Sequence, residues 1–415
     1  MKKVLFINVF GEGHINPTIG LVKELMNRGE KVTYIAGEEF REKIEKAGAT
    51  FIGHKSMGFP KNFGPQNGEA PHKMPGKGES PFMMPGNVEP PFKMLDTLKE
   101  MIEEIIEATL KSSEKFDYII YDSMFFLGNE LGRILKVPAI SSVTTFAMNE
   151  DTNVLGGETK EMASKVQGFS NSPLYKEFAA QLQEKYGIEL PELSTVFNGS
   201  GMINIVYTSK YFQIHGESFD ERYKFIGPSI ADRNEDIDFS LENNDKKKLI
   251  YISLGTIFNN SIDFYESCFK AFGNMDAKII MSVGKNTEIS DFKSIPSNFI
   301  VRNYVPQLKV LKQTDVFITH AGMNSTSEGL YYDVPLVLIP QTIDQPAVAN
   351  RVAELGAGIV IDKDKVTPEI LKQSVVKILT DDNYKINSEK IGKSLRDAGG
   401  YKKGVDEILN LKYKR

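Results

Sequence analysis

Val316-Phe-Ile-Thr-His-Ala-Gly-Met-Asn-Ser-Thr-Ser-Glu-Gly-Leu330 is the stretch that decides the fold class of this chain. Its first four residues, 316–319, are apolar or β-branched and predict a buried strand, and a helix is predicted from Asn324 onward. His320 and Gly322 lie in the short turn between the two. A strand that passes through a tight turn into a helix is half of a βαβ unit, so this stretch favours a parallel α/β sheet.

The same alternation continues on both sides of this stretch. Apolar runs of strand length alternate with segments of helical periodicity. The predicted strands are 249–254, 278–282, 336–339 and 359–361, and the predicted helices lie near 263–272 and 347–355. The second half of the chain is therefore predicted to be a doubly wound parallel sheet covered by helices.

The first half of the chain has the same pattern, although no sequence repeat relates the two halves. Its predicted strands are 4–9, 31–35, 118–121 and 139–142, and its predicted helices are 17–28, 38–47 and 96–112. Asn16 is the expected N-cap of the first helix, Pro17 suits its first turn and Gly29 suits its end. We therefore expect an α/β protein with two Rossmann-like doubly wound domains that face a cleft.

Two irregular segments set the expected boundaries. The charged stretch 227–248 suits an inter-domain linker, which places the domains at 1–226 and 249–383. The tail 384–415 is predicted to be helical, and its return to the first domain is left open. Residues 57–95 hold eight prolines and six glycines between Phe and Met residues, which forbids long regular elements. A lid over a binding site and a poorly ordered loop both fit this composition.

Composition excludes several classes of protein. The chain has 415 residues, of which 41% are hydrophobic and 25% are charged, so it is globular rather than disordered or fibrous. Its net charge of −5 provides no basic excess for nucleic acid or for stable association with a membrane. The single cysteine, Cys268, fits a reducing cytoplasm. Lys2-Lys3 and the apolar run after them predict a first strand rather than a signal peptide, and no apolar run approaches the ~18 residues of a membrane span.

Candidate catalytic residues follow two neighbouring strands of the first half. The first strand is followed by Phe10-Gly-Glu-Gly-His14-Ile-Asn-Pro17, in which Asn16 stands where a dinucleotide fingerprint needs glycine. His14 lies just before the predicted helix, whose N-terminus favours the neutral imidazole that a general base must have. Asp122 ends the adjacent strand and is expected within reach of His14. A turn-capping role for His14 and an N-cap role for Asp122 remain open.

The turn and the helix start after strand 316–319 form a candidate anion site. Backbone N–H groups, the helix dipole and the side chains of Asn324 and Ser325 converge there. Glu328 lies one turn further along the helix and is placed to accept hydrogen bonds from a ribose diol. Capping roles for Asn324 and Ser325 and a solvated position for Glu328 are the alternatives, but the joint spacing favours a ligand site.

With these motifs the chain resembles UDP-glycosyltransferases of the natural-product type, nearest to the bacterial macrolide glycosyltransferases, which have the two-domain GT-B fold. The resemblance covers essentially the whole chain and is most specific within 301–351. The donor-binding residues that it implies are Gly13, Thr256, Tyr304, Gln307, His320, Gly322, Asn324, Ser325, Glu328, Asp344 and Gln345.

The resemblance also implies a role for most of these residues. The diphosphate contacts fall to His320, Asn324 and Ser325, and the ribose contact falls to Glu328. The sugar hydroxyls are assigned to Asp344 and Gln345, the uracil stack to Tyr304 with Gln307 beside it, and a further phosphate or sugar contact to Thr256. Ala321 departs from the glycine or cysteine that is common in the family.

The reaction implied by the resemblance is an inverting transfer of a hexose, most simply glucose, from a UDP-sugar to a hydroxyl of a small apolar acceptor such as a macrolide or a flavonoid. His14 is the expected base and Asp122 its partner. No metal or other cofactor is expected, because a helix N-terminus and His320 already provide for the diphosphate. The candidate acceptor-lining residues are Phe59, Met83, Met124, Phe125 and Phe146.

Two other functions stay open. One is another GT-B enzyme, such as a UDP-N-acetylglucosamine 2-epimerase or a cell-wall transferase, and the other is a non-catalytic protein that binds a small molecule. The Asp-x-Asp strings 236–238 and 362–364 are not expected to bind a metal. The histidines expected to be ordinary surface or loop residues are His54, His72 and His215.

Overall fold

The structure is a computed structural model, and it describes most of the chain. The described residues are 1–9, 11–54, 92–112, 114–149, 152, 172–190, 201–231, 247–255, 261–341 and 344–411, with side chains from residue 99 onward in the segment 92–112. The predicted features that lie outside these residues are most of the 57–95 segment, most of the 227–248 linker, Phe59, Met83, His72, Thr256 and the string 236–238.

The described residues form two compact units. Those within 1–231 join with those within 398–411 in the first unit, and those within 247–397 form the second unit. The predicted tail is therefore shared, since its helix Asp382–Asp397 belongs to the second unit and its helix Gly400–Leu409 belongs to the first.

The first unit is built on a seven-stranded parallel sheet. Its strands are β1 (Lys3–Ile7), β2 (Lys31–Gly37), β3 (Thr50–His54), β4 (Tyr118–Asp122), β5 (Ala139–Val143), β6 (Asn204–Val206) and β7 (Tyr223–Phe225). Its helices in this part of the chain are α1 (Glu12–Asn27), α2 (Arg41–Lys46), α3 (Phe92–Leu110), α4 (Gly128–Leu135) and α5 (Pro173–Tyr186). The strand order is β3-β2-β1-β4-β5-β6-β7, so the chain reverses direction across the sheet between β1 and β4. Ligands of open α/β sheets bind at such a switch point.

Burial on both faces explains why β1 is so apolar. Val4 and Phe6 belong to one hydrophobic cluster, and Leu5 and Ile7 belong to another. All four side chains are fully buried. A strand covered by helices on both faces has a continuous apolar run rather than an alternating one, and this rigid centre fixes the turn that follows β1.

Helix α1 begins five residues earlier than the sequence predicts. It starts at Glu12 with Gly11 as its N-cap, and Pro17 lies inside it. The carbonyl of Gly11 accepts hydrogen bonds from the N–H groups of His14 and Ile15 at 2.9 and 3.2 Å, so the first turn closes before Pro17 is reached. The prediction of Asn16 as N-cap was therefore wrong, and His14 lies in the first helical turn instead of preceding the helix.

The second unit is built on a six-stranded parallel sheet. Its strands are β8 (Lys248–Ser253), β9 (Ala277–Ser282), β10 (Phe299–Arg302), β11 (Val316–Thr319), β12 (Leu336–Leu338) and β13 (Gly358–Val360). Its helices are α6 (Ile262–Phe272), α7 (Gln307–Leu311), α8 (Met323–Tyr331), α9 (Gln345–Glu354), α10 (Pro368–Thr380) and α11 (Asp382–Asp397), and α12 (Gly400–Leu409) follows in the first unit. The order β10-β9-β8-β11-β12-β13 places the switch point between β8 and β11. The predicted fold class, two doubly wound parallel α/β domains, is confirmed.

Within the described residues, no helix is both long enough and apolar enough to cross a membrane. Cys268 is buried in the second hydrophobic core, where burial raises the pKa of its thiol.

Candidate functional site

A buried carboxylate meets a histidine at the switch point of the first sheet. His14 Nδ1 lies 2.7 Å from Asp122 Oδ2, and the two residues come from the first turn of α1 and from the carboxyl end of β4. The Asp122 side chain is fully buried, whereas the His14 side chain is 21% exposed. The parallel pairing of β1 with β4 brings these two strand ends together, as the sequence predicts.

Thr144 completes this group, and no pattern in the sequence predicted it. Thr144 follows β5, the strand next to β4, and its Oγ1 lies 2.9 Å from His14 Nδ1. A carboxylate can only accept a hydrogen bond, so Nδ1 carries the proton and donates it toward Asp122, with Thr144 Oγ1 as a second acceptor. The lone pair of the imidazole is then on Nε2, the nitrogen that a general base needs.

Asp122 also organises the turn that follows β4. Its Oδ1 accepts the backbone N–H of Met124 at 2.8 Å while its Oδ2 faces His14. Helix α4 begins only at Gly128, so this contact is a local turn rather than a helix N-cap. Of the two roles that the sequence left open for Asp122, the helix N-cap is therefore excluded, and the partnership with His14 is present.

His54 corrects a sequence expectation. It ends β3, its residue is only 5% exposed, and its Nε2 lies 3.4 Å from the carbonyl oxygen of Asn8. The amide of Asn8 in turn donates to the carbonyl of His14 at 3.1 Å. His54 is therefore a buried residue that supports the turn carrying His14, and its prediction as a surface or loop residue was wrong. His215 is exposed, as expected.

A small cleft shares its loops with the His14 group. It is lined by Ser123, Met124, Val143, Thr145, Phe146, Ala147, Met148 and Tyr223. Two predicted acceptor residues, Met124 and Phe146, are among them. The third described one, Phe125, is 2% exposed and packs in the hydrophobic core with Leu127 and Leu131, so it is not among the lining residues.

The second unit presents the N-terminus of α8 at its own switch point. Gly322 is the N-cap and, among the described residues, no side chain caps this helix. Asn324 and Ser325 are the second and third helical residues, which answers the question of capping left open by the sequence: neither is the cap. The first N–H groups of a helix have no partner within it, and together with the helix dipole they attract anions.

His320 is enclosed by backbone beside this helix start. A Cβ on Gly255 would lie 2.5 Å from His320 Cε1, and one on Gly322 would lie 2.4 Å from its Nε2, so only glycine leaves room for the ring. Burial lowers the pKa of the His320 imidazole to about 4, although part of the residue still reaches solvent. At neutral pH His320 is therefore a neutral hydrogen-bonding group and not a cation.

The residue after His320 has an unusual backbone. Ala321 has φ of +64°, in the left-handed region where a side chain costs roughly 1–2 kcal/mol relative to glycine. This conformation explains why glycine is suited to the position and why alanine, the smallest alternative, is still tolerated. Strain of this kind clusters at functional sites.

Glu328 is held in place by Gln307. Gln307 Nε2 donates to Glu328 Oε2 at 2.7 Å and lies 3.4 Å from Ser325 Oγ, while the hydroxyl of Tyr251 donates to Gln307 Oε1 at 3.1 Å. Glu328 is 4% exposed. The solvated position that the sequence left open for Glu328 is therefore excluded.

Known proteins resemble the chain over its full length. The "Uncharacterized UDP-glucosyltransferase YojK" of Bacillus subtilis (strain 168) is 38% identical, covering 99% of this chain and 97% of the relative. The "NDP-glycosyltransferase YjiC" of the same organism is 35% identical, covering 98% and 97%. The family model for the C-terminal domain of erythromycin biosynthesis protein CIII-like proteins matches residues 266–397. The chain belongs to the UDP-glycosyltransferase family.

A solved structure agrees with this assignment. The glycotransferase of kitacinnamycin superposes with a TM-score of 0.79 at 27% identity, covering 98% of each chain. The predicted resemblance to natural-product glycosyltransferases, the GT-B fold and the enzymatic class are thus confirmed.

In this glycosyltransferase the other described residues that were predicted to bind the sugar donor differ in their exposure and in their local contacts. Tyr304 is 47% exposed, so a planar base can reach its ring. Asp344 precedes α9 as its N-cap without a side-chain cap, and the buried Gln345 accepts the backbone N–H of Gln341 at 2.8 Å. Gly13 lies in the first turn of α1, where a Cβ would meet nothing within 4 Å.

The acidic string 362–364 of the glycosyltransferase has a local role. Asp362 Oδ1 accepts the backbone N–H of Asp364 at 3.1 Å and caps a short 3₁₀ turn, Lys363–Lys365. Across the part of the chain that the structure describes, no group of three or more His, Cys, Asp or Glu residues could hold a metal ion.

Proposed function

We propose that this glycosyltransferase transfers glucose from UDP-glucose to a hydroxyl of a small apolar acceptor, with inversion at the anomeric carbon and without a metal ion. The observation that carries the proposal is the contact of His14 Nδ1 with the buried carboxylate of Asp122 at 2.7 Å. A histidine so held has its basic nitrogen directed away from its partner and gains a proton at low cost, as a general base requires.

The chemical step is a single displacement. His14 Nε2 takes the proton of the acceptor hydroxyl while that oxygen forms a bond to the anomeric carbon of the donor. The bond from that carbon to the diphosphate oxygen breaks, and its electron pair leaves on UDP. Attack from the face opposite the leaving group inverts the configuration. Asp122 stabilises the imidazolium of His14 that forms, and Thr144 holds the ring against rotation.

The leaving diphosphate is assigned to the second unit. The N-terminus of α8, with Asn324 and Ser325 in its first turn, supplies N–H groups for the charge that develops on the diphosphate. His320 contributes a hydrogen bond as a neutral imidazole, because its pKa is about 4 before a ligand arrives. A helix N-terminus performs here the electrostatic work that a divalent ion performs elsewhere.

Donor identity is proposed from two observations. Glu328 is a buried carboxylate, which suits a ribose diol, and Asp344 with Gln345 suits the free hydroxyls of a hexose. The relative YojK is named a UDP-glucosyltransferase, which supports UDP-glucose. The acceptor is proposed to be an apolar natural product, because Met124 and Phe146 line the cleft beside the His14 group. We also propose a cytoplasmic location, since the single cysteine, Cys268, cannot form an internal disulfide and fits a reducing compartment.

A donor panel tests the whole proposal. The enzyme is incubated with a simple phenol and with UDP-glucose, TDP-glucose or UDP-N-acetylglucosamine, each in excess EDTA, and products are identified by mass. We expect kcat/KM to be highest for UDP-glucose and the product to be the β-glucoside by the proton coupling of its anomeric hydrogen. The variant His14→Ala serves as the matched control, since it should lose turnover while its affinity for UDP stays unchanged.

Each alternative outcome would contradict one part of the proposal or indicate a different function. An α-glucoside would contradict inversion, and turnover that needs Mg²⁺ or Mn²⁺ would contradict metal independence. A preference for TDP-glucose would overturn the donor assignment. Consumption of UDP-N-acetylglucosamine without an acceptor would indicate an epimerase, and binding of UDP without turnover of any acceptor would indicate a binding protein.

A further inference from the structure

A chain of two hydrogen bonds ends on Glu328. Tyr251 comes from β8, Gln307 begins α7 and Glu328 lies in α8. The Tyr251 hydroxyl lies 3.1 Å from Gln307 Oε1, and Gln307 Nε2 lies 2.7 Å from Glu328 Oε2. Three separate elements of the second unit therefore meet through these side chains.

The direction of each hydrogen bond in this chain follows from charge. The carboxylate of Glu328 can only accept, so the amide of Gln307 must turn its NH₂ group toward it. The amide oxygen then faces Tyr251, whose hydroxyl must donate. Reversing the amide would place its oxygen against a carboxylate, so the tyrosine hydroxyl and the charge of Glu328 together select one orientation of Gln307.

We propose that Tyr251 and Gln307 are positioning residues that set the preference of Glu328 for a ribose nucleotide over a 2′-deoxyribose nucleotide. This inference rests on the proposed assignment of Glu328 to the ribose. A carboxylate held at one oxygen keeps a fixed orientation, and the hydroxyls of a ribose then meet it at fixed angles. Charge-assisted hydrogen bonds of this kind depend strongly on geometry.

Loss of the Tyr251 hydroxyl should lower the selectivity for ribose over 2′-deoxyribose nucleotides through its effect on Gln307. Without a donor at its oxygen, the amide of Gln307 can turn away, and Glu328 can follow it to a different rotamer. The 2′-hydroxyl then finds a less well-oriented acceptor. A nucleotide without that hydroxyl is affected much less, so the ratio of the two affinities falls while binding as a whole persists.

The test measures UDP and 2′-deoxy-UDP by calorimetry on the full chain. Wild-type protein should bind UDP at least about tenfold more tightly than 2′-deoxy-UDP, and Tyr251→Phe should lower this ratio by roughly three- to tenfold. Phenylalanine keeps the packing, since the Tyr251 ring stacks on Phe317 with centroids 4.7 Å apart. Tyr265→Phe is the matched control: this tyrosine is also buried in the second unit, its hydroxyl donates to the Val283 carbonyl, and its loss should leave the ratio unchanged.

Two further variants separate the possible failures. If Glu328→Gln leaves the ratio unchanged, the assignment of Glu328 to the ribose is wrong, and the inference falls with it. If Glu328→Gln lowers the ratio but Tyr251→Phe does not, the donor assignment stands and the inference is overturned. Should Tyr251→Phe fail to fold, Gln307→Met removes both hydrogen bonds of the chain and the contact with Ser325 Oγ, and an unchanged ratio in that variant would equally contradict the positioning role.

Discussion

Replacing Asp122 with asparagine should harm catalysis more than replacing it with alanine. In the wild-type protein Oδ1 accepts the Met124 N–H at 2.8 Å and Oδ2 accepts from His14 Nδ1 at 2.7 Å. An asparagine that keeps the contact with Met124 must place its NH₂ group at the Oδ2 position. This donor forces His14 Nδ1 to be an acceptor, and the proton then moves to Nε2, where the base is needed.

Two free-energy losses contribute to the expected fall in kcat of Asp122→Asn. Moving the proton back from His14 Nε2 to Nδ1 breaks the hydrogen bond from the asparagine NH₂ group and leaves two N–H donors facing each other. This costs about 2–3 kcal/mol, so roughly 1% of His14 is in the productive tautomer. The imidazolium also loses its carboxylate partner, worth up to about 4 kcal/mol at an effective dielectric constant of 20. Since these losses overlap, we expect kcat for Asp122→Asn to fall about 10³-fold, within the range typical of general-base catalysis.

Alanine should be milder because it removes the partner without reversing the tautomer. In Asp122→Ala, Thr144 Oγ1, which lies 2.9 Å from His14 Nδ1, still accepts its proton, so Nε2 keeps its lone pair. The expected loss is about 10- to 100-fold, from the missing charge alone. The tautomer argument therefore predicts a lower kcat for Asp122→Asn than for Asp122→Ala. Loss of packing would give the reverse order.

The assay is kcat for a series of phenols of decreasing pKa, with UDP affinity and Tm measured alongside. UDP affinity should be unchanged in both variants, and the most acidic phenol should lose the least rate, since it needs the base least. An Asp122→Asn variant within threefold of wild type, or one clearly more active than Asp122→Ala, would refute the tautomer argument.

Other predictions concern Thr144 and His320. Thr144→Val should lower kcat about three- to tenfold and shift the pH profile of kcat. Thr144→Ser should restore both, because only the hydroxyl acts on His14. Equal losses of kcat in the two variants would indicate a packing role instead. The pKa of His320 is about 4 in the folded protein and about 6.5 when unfolded, so the unfolded chain takes up a proton as the pH falls through that window, and stability is lost there. Wild-type protein should therefore lose about 2–4 °C more in Tm between pH 7 and pH 4.5 than His320→Gln; parallel losses would contradict the low pKa.

The alternation of strands and helices in the sequence was sufficient to predict most of the fold, and the wrong or missing predictions have local causes. The apolar runs of β1 and β11 are long enough to be recognised alone. The strand Thr50–His54 was not predicted, because Gly53 interrupts it and its burial alternates irregularly. The start of α1 was misplaced because Pro17 is typical of a first turn, yet a proline one turn further in is also tolerated once Gly11 has closed the first turn.

The site was predictable where sheet topology alone brings residues together. His14 and Asp122 follow strands that any doubly wound sheet makes neighbours, so their proximity could be predicted. Thr144 could not be singled out, because a threonine at a strand end is an ordinary β-former. The contact of Gln307 with Glu328 depends on how α7 packs beside α8, and no periodicity in the sequence encodes that packing.

In the proposed mechanism the two sheets use corresponding strand ends for opposite electrostatic tasks. β4 and β11 hold corresponding places, each paired with the first strand of its own sheet at the switch point, and they lead to Asp122 and His320. Asp122 is buried with a histidine partner, so its negative charge can stabilise a positive charge that forms during the reaction. His320 is enclosed by the backbone of Gly255 and Gly322, and burial keeps it neutral. In the proposed mechanism the neutral donors at this helix N-terminus are directed at the charge that develops on the leaving diphosphate.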